Sequence, residues 1–391
     1  MTNRLYYTDA YRTSFTASVV DRSDDGLRVY LSETAFYPTS GGQPHDLGQL
    51  GGATVIDVVD EDDRIAHVLS SPLIVSNEVV EGSIDWNRRY DHMQQHTGQH
   101  VLSAVFEDLF GAKTLSVHFG PDYSTLDLDA ESLSRSQLVK AEERANAIVA
   151  EARPVVVAFE DAATAAGLRK ASDRAGTLRV VSIADVDRSA CGGTHVRSTS
   201  EIGAVLLRSV EKVRKSTRVE FVCGARAIRR ARRDYESLTT IAASLSASLD
   251  DAAGLVSAQG ERLKDGDNAR KKLEKELAAF RMRERYDAAA VGEYGIRTVV
   301  IRDAASADEL RALAQAAFAL PRVVVVGALT DPPSVLLATS EDSDVDAGRT
   351  LKEKLAAVGG RGGGSPRLAQ GSVPDAAAVE RVVQSLVTRD G

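Results

Sequence analysis

The chain has 391 residues, of which 43% are hydrophobic and 27% charged, with a formal net charge of −8. This length suits two to four domains with real cores, and the negative balance argues against indiscriminate coating of nucleic acid, while leaving room for a local basic patch. No apolar run approaches a membrane span, and residues 1–20 lack the apolar core of a signal peptide. Two cysteines, Cys191 and Cys223, make no disulfide framework, so a soluble cytoplasmic protein is expected.

Residues 1–89 read as a domain of short strands. Segments 27–31, 54–59 and 78–84 are separated by Gly, Asp, Asn and Pro turns, which suggests a small β-barrel. Residues 90–224 follow as an α/β or α+β core. It holds a helix over 90–110, strands near 115–119 and 124–128, and a helix from Ser134 as N-cap to about 152. Further strands are expected near 155–159, 178–183, 204–209 and 218–223.

Residues 225–291 change character: they contain no proline and are rich in Ala, Arg, Glu, Lys and Leu. A 4-3 repeat through Leu238, Ala242, Leu245, Leu249, Ala252 and Val256, then Leu263, and again Leu273, Leu277 and Phe280, predicts a helical arm with a coiled-coil seam. Gln259, Gly266 and Arg270 occupy seam positions, so the arm is expected to break around 254–266. Residues 292–391 form another α/β unit, with strands near 299–301, 323–326 and 335–337 and helices near 307–320, 345–358 and 375–387. The expected fold class is therefore multi-domain α+β. The arm or this last domain is the expected homodimer surface.

Two compact signatures carry the chemistry. His96-Thr97-Gly98-Gln99-His100 and Cys191-Gly192-Gly193-Thr194-His195 each set two metal donors three residues apart. On a helix that spacing puts both side chains on one face. In the second signature a Gly-rich segment can turn Cys191 and His195 to one point. One thiolate and three imidazoles make a four-donor set suited to one zinc ion per chain. His92 has the same spacing from His96, so a His92/His96 pair stays open on geometry.

Two further segments suggest anion contact. In 359–367, glycines including Gly362 and Gly363 let backbone N–H groups approach a phosphate, and Arg361 and Arg367 flank them. Arg226, Arg229, Arg230, Arg232 and Arg233 cluster at the start of the arm, where they read either as a solvated helix face or as phosphate contacts.

The two metal signatures resemble those of the editing domain of alanyl-tRNA synthetase and of its free-standing relatives, the alanyl-tRNA editing hydrolases. His96-Thr97-x-x-His100 running into Val101-Leu102-Ser103 resembles the first zinc motif, a register that favours His96/His100. Cys191-Gly192-Gly193-Thr194-His195-Val196 before Glu201-Ile202-Gly203 resembles the second. The stretch from Thr34 through Phe36-Tyr37-Pro38 to Gly41-Gly42-Gln43-Pro44 is similar to the family's Gly-rich barrel segment. The Gly-rich segment 359–367, continuing to Ala369-Gln370-Gly371, resembles the synthetase's C-terminal domain, a module also attached to DHH phosphoesterases. The likeness covers nearly the whole chain, in family order.

The resemblance implies a zinc-dependent, trans-acting deacylase of tRNA(Ala) mischarged with serine or glycine, since the barrel begins near residue 5 and leaves no room for an ATP-binding aminoacylation domain. It implies Thr34 as the sensor of the substrate hydroxyl. Gly41-Gly42-Gln43 is also the tripeptide of translation release factors, which marks Gln43 as a group to position water or the tRNA terminus. The chain departs from the family at His45, where another polar residue is usual, and at 215–220, which reads Lys-Ser-Thr-Arg-Val-Glu. A DHH phosphoesterase would need Asp-His-His, whereas Asp91-His92 is followed by Met93. Because four protein donors are usual for a closed structural zinc, a non-catalytic tRNA-binding protein is the alternative.

Overall fold

The computed structural model describes residues 1–74, 78–170 and 175–388. It divides into two units, Met1–Ile241 and Ala242–Gly391. The first unit opens with β1 (Asn3–Arg4), β2 (Ser14–Arg22), β3 (Arg28–Leu31), β4 (Glu33–Thr34), β5 (Gly48–Leu50), β6 (Ala53–Glu61), β7 (Arg64–Leu69) and β8 (Val79–Ile84). Six of these close into a barrel in the order β2-β3-β7-β6-β5-β8, while β1 and β4 pair in parallel. Period-two alternation drives the closure: along β8, Val80, Gly82 and Ile84 point inward and Val79, Glu81 and Ser83 outward. Phe15, Val29, Leu31, Leu50, Val55, Val58, Ile65 and Leu69 fill the interior.

The same unit continues with α1 (Trp86–Phe110), β9 (Thr114–Phe119), β10 (Ser124–Leu128), α2 (Arg135–Ala150), β11 (Val155–Asp161), β12 (Thr177–Ile183), β13 (Asp187–Ala190), β14 (Val205–Val213), β15 (Ser216–Cys223) and α3 (Gly224–Ser244). The strands form a four-stranded sheet, β14-β15-β10-β9, and a three-stranded sheet, β11-β12-β13. Asp85 caps α1 by accepting the Arg88 N–H, and Gly111 ends it in the left-handed region. Ser134 and Gln137 form a reciprocal capping box on α2. Val101, Leu102, Val105 and Phe106 of α1 pack with Ala141 and Ala145 of α2 and with Leu126, Val219 and Phe221 of the larger sheet.

A buried ion pair fixes the Gly-rich segment to α1. Arg89 and Asp46 are both fully buried, and the remaining N–H groups of Arg89 donate to Ala10 O (2.8 Å) and Ala35 O (2.6 Å). Removing either partner would strand the other charge, a cost of about 3–5 kcal/mol.

The second unit holds α4 (Leu249–Ala288), β16 (Arg297–Ile301), α5 (Ala307–Ala316), β17 (Val323–Thr330), β18 (Pro333–Thr339), α6 (Ala347–Ala356), β19 (Arg361–Ser365), β20 (Leu368–Ser372) and α7 (Ala376–Val387). Its sheet runs β16-β17-β18-β20-β19, parallel only between β16 and β17. The valine run of β17 is explained by cover on both faces. Val324 and Val326 pack with α6 and α7, whereas Val323 and Val325 pack with α5 and with Ala278 and Met282 of α4.

Two expectations are corrected here. The arm does not break at 254–266: α4 runs through Gly254, Gly260 and Gly266, which lie on open helix surface and cost only about 1 kcal/mol each. The interruption falls at 245–248, where Ser246 has φ 52° and Ser248 starts α4 by accepting the Asp251 N–H at 3.2 Å. The Gly segment at 359–367, where no strand was expected, contains the edge strand β19, Arg361–Ser365. Its glycines serve close packing: a Cβ on Gly362 would meet Gly371 Cα at 2.5 Å, and one on Gly371 would meet Leu355 Cδ1 at 2.2 Å.

Candidate metal centre

Helix α1 is unusual in burying a run of polar residues, with Gln94, Gln95, His96, Thr97, Gln99 and His100 all inside the first unit. Buried polar groups need partners, and these have them. Gln95 exchanges hydrogen bonds with the backbone of Cys223 (2.8 and 3.0 Å), Gln94 donates to Glu201 O at 2.9 Å, and Gln99 donates to Ser103 Oγ at 2.8 Å. Helix pitch then stacks His96 and His100 on one face, their ring centres 5.3 Å apart. Cys191 directly follows β13, and its N–H is held by Arg179 O at 3.0 Å. Gly193 lies so close to His96 that a Cβ there would meet Cε1 at 2.1 Å.

The ligand atoms of His96, His100, Cys191 and His195 all lie within 4.8 Å of one another. Cys191 Sγ is 3.4 Å from His96 Nε2 and 3.3 Å from His195 Nε2. The other ring nitrogens are tied outward. His96 donates Nδ1–H to Gln43 Oε1 at 2.8 Å, and His100 donates Nδ1–H to Asp187 Oδ2 at 2.6 Å. Both acceptors lack a proton to give, so the proton of each neutral ring sits on Nδ1 and its Nε2 faces the cluster. The Thr97 hydroxyl lies 3.2 Å from His195 Nδ1. Such outward partners fix ring and tautomer for metal-ligating histidines, and the donor set fits a metal ion.

Electrostatics agree. Burial alone would push the Cys191 thiol up, but His96 and His195 hold it well below its usual range, as a thiolate. Burial, followed by repulsion from His96, pushes His195 down to about 3, leaving it neutral. Burial opposes a charge on His100, yet the Asp187 carboxylate outweighs it and lifts the imidazole to about 9. Burial would raise Asp187, but the hydrogen bond from His100 brings it to about 2.

Two cavities open on the cluster. One of about 840 Å³ has His96 and Cys191 in its wall with Tyr6, Tyr37, Phe159 and Arg179. Another of about 340 Å³ reaches His100 and Cys191 past Gln99, Arg169 and Lys170.

Gln43 touches the cluster from behind. A tight turn, with Gly41 at φ 56° and Gly42 at φ 85°, aims it inward. Its Oε1 accepts from His96 and from the Thr194 N–H (3.1 Å), and its Nε2 donates to Thr194 Oγ1 at 2.8 Å. Gln43 thus orients His96 and the Thr194 turn through its Oε1 and one of its two amide N–H groups.

Thr34 is fully buried, and its Oγ1 accepts the Phe36 N–H (3.0 Å) and lies 2.8 Å from His67 Nε2. It lines neither of these two cavities. His92 is buried but outside the cluster, so the His92/His96 alternative falls away. His45 pairs with Asp57 and with Ile56 O, both at 3.1 Å.

Arg361 is exposed, and so is Gly363. Arg367 is engaged, with its guanidinium 4.4 Å over the Phe318 ring and donating to Phe318 O at 3.3 Å. In the basic cluster Arg226 is buried against Asp91 (2.6 Å) and Gly120 O (2.7 Å), while Arg230 and Arg208 share Asp234. Arg229, Arg232 and Arg233 are exposed. The sequence reading missed Asp187, Thr97 and Thr194. The first carried a signal, an acid four residues before the ligand cysteine.

Residues 178–219, which hold Cys191 and His195, match the second additional domain of threonyl and alanyl tRNA synthetases. The chain is 32% identical to the alanyl-tRNA editing protein AlaX-L of Pyrococcus horikoshii, over 95% of both chains. It is 35% identical to an alanine–tRNA ligase of Halorubrum lacusprofundi over 97% of this chain but 43% of the ligase. It is 36% identical to the alanyl-tRNA editing protein Aarsd1-A of Xenopus laevis over 55% of this chain and 54% of that protein. The chain therefore spans about half the length of the latter two relatives and nearly all of the first. The chain belongs to the alanyl-tRNA editing protein family.

Proposed function

We propose that this protein is a trans-editing hydrolase that deacylates tRNA(Ala) mischarged with serine or glycine, at a single zinc ion held by His96, His100, Cys191 and His195. The observation that carries the reading is the pre-oriented four-donor cluster in the wall of a cavity large enough for an aminoacyl end. When bound, zinc supplies Lewis-acid polarisation of an ester carbonyl. The chain's own residues do the rest. Gln43 and Asp187 hold His96 and His100 in the tautomer that leaves Nε2 bare. Cys191 stays a thiolate because two imidazoles face it. An aminoacyl ester is already labile, so positioning and discrimination are the main tasks.

The four-donor set is also that of a closed structural zinc, and this observation supports a second reading: a tRNA-binding protein without turnover. Deacylation of Ser-, Gly- and Ala-tRNA(Ala), with and without chelator, separates them. Chelator-sensitive loss of Ser- or Gly-tRNA(Ala) with Ala-tRNA(Ala) spared supports the hydrolase. Binding with no turnover of any substrate supports the second reading. Under the first, the C-terminal domain aids tRNA binding and the arm or that domain forms a homodimer contact. Among the described residues no helix is long and apolar enough to cross a membrane, and a ligand cysteine that must remain reduced suits the cytoplasm.

A further inference from the structure

We propose that Phe159 is a stacking platform for an unpaired nucleobase at the 3′ end of the RNA substrate. This rests on the reading above that an aminoacyl-RNA enters the larger cavity. A single exposed apolar side chain is ordinary on a protein surface, but Phe159 is 50% exposed and stands in the wall that also holds His96 and Cys191. Its neighbours are differently committed. Tyr6 packs edge-on to Tyr7 (5.0 Å) and Tyr37 (5.3 Å), and the Tyr7 ring carries the guanidinium groups of Arg4 and Arg179, each at 5.5 Å. Among the described residues no ring or guanidinium covers Phe159.

Register fixes how far this ring is from the chemistry. Phe159 on β11 stands opposite Arg179 on β12. Arg179 O in turn accepts the Cys191 N–H at 3.0 Å, and Arg179 Nη1 donates to Cys191 O at 2.6 Å. Phe159 and Cys191 are thus two strand spacings apart, about 10 Å, or roughly three stacked bases at ~3.4 Å. An ester at the cluster would place the base of its own nucleotide, or of the one before, against this ring.

Charge selects a base over a phosphate. Asp60, Asp62 and Asp63 share the wall, and Arg4 is already paired with Asp60 at 2.7 Å. With Asp60 paired, the carboxylates of Asp62 and Asp63 oppose an anion there and leave a neutral base face unopposed. Aromatic stacking tolerates any base, so Phe159 would give affinity and position, while discrimination between amino acids lies elsewhere.

The test uses the full chain, with Phe159→Ala, Phe159→Leu and Phe159→Trp checked for equal metal content. An uncharged acceptor-stem minihelix carries 2-aminopurine as its 3′-terminal base or pyrrolocytosine at the preceding position. Wild-type protein and Phe159→Trp are expected to quench one probe, and Phe159→Ala and Phe159→Leu are expected not to. With Ser-tRNA(Ala), Phe159→Ala is expected to raise KM about 5- to 150-fold with kcat retained. Unchanged quenching and KM in Phe159→Ala overturn the proposal, and so does a fall in kcat at constant KM. Quenching by a wild-type protein that deacylates nothing keeps the platform and removes the hydrolase reading instead.

Discussion

His100 donates its Nδ1–H to Asp187 across 2.6 Å, and Asp187 is gripped in turn by Arg169 Nε at 2.5 Å and Ser189 Oγ at 3.1 Å. The carboxylate is fully buried, so its only role in the fold is to serve these donors. A chain of this kind orients the imidazole and raises its basicity toward a metal. Asp187→Ala should therefore weaken metal binding about 10- to 100-fold, read by competition with a chromophoric chelator. Unchanged affinity would remove Asp187 from the support of the centre.

Metal content follows from the donor set itself. Protein purified without added metal should carry one zinc per chain by elemental analysis, and Cys191→Ala should carry much less. The thiolate is the only anionic donor among the four, so its loss removes the strongest pull on a dication. Equal zinc in both proteins would sink the assignment.

Much of this was legible in the sequence, for identifiable reasons. Period two gave the strand at 54–59, which lies inside β6, and the Ser134 cap was read from its side chain alone. The metal spacing needed only helix pitch. What escaped were relationships set by tertiary contact. The position of Asp187 four residues before Cys191 does not by itself tell a buried acid from a surface one, and no local pattern reveals that Gln43 spends its carbonyl on His96. Glycines read as phosphate-binding because glycine is normally weak in strands. The approach of Leu355 to Gly371, which requires them, is visible only once α6 is packed. The arm failed for the opposite reason: glycine on an open helix surface costs too little to stop the helix.

Thr34 and His67 form a closed pair inside the barrel. His67 Nδ1–H donates to Val29 O at 3.1 Å, so its Nε2 accepts the Thr34 hydroxyl proton at 2.8 Å. Thr34→Val keeps the shape and strands that nitrogen, a loss of about 1–3 kcal/mol in denaturant unfolding. The ratio of serine to alanine deacylation rates should hold. A collapsed ratio with stability intact would return the hydroxyl to the substrate site.

His67 also sets a pH dependence. Burial holds it at about 4, below its ordinary 6.5. Between these values the unfolded chain binds a proton that the folded chain refuses, so stability rises with pH. The contribution is complete above 6.5 and is lost as pH falls toward 4, up to about 3 kcal/mol. His67→Gln should be less stable at pH 7 but lose less between pH 7 and 4.5 than the parent. Parallel stability curves for the two proteins would contradict this.

Arg361 and Arg367 were paired by sequence, and the structure separates them. Arg361 stands on the exposed edge strand β19, and among the described residues its guanidinium has no partner. Arg367 lies over Phe318 with one hydrogen bond to Phe318 O and a buried Nε without a partner. If the C-terminal unit contacts tRNA phosphates, only the first is available without disturbing packing. Arg361→Gln should leave unfolding unchanged, weaken tRNA(Ala) binding, and reduce the slope of log affinity against log salt by about 1. Arg367→Gln should instead cost about 1 kcal/mol of stability through the lost stacking, with little change in the salt slope. Both are measured in the intact protein, by filter binding across a salt series and by denaturant unfolding. The reverse pattern, with Arg367→Gln flattening the slope and Arg361→Gln silent, would show that Arg367 leaves Phe318 to meet the RNA and that the edge strand is not the contact.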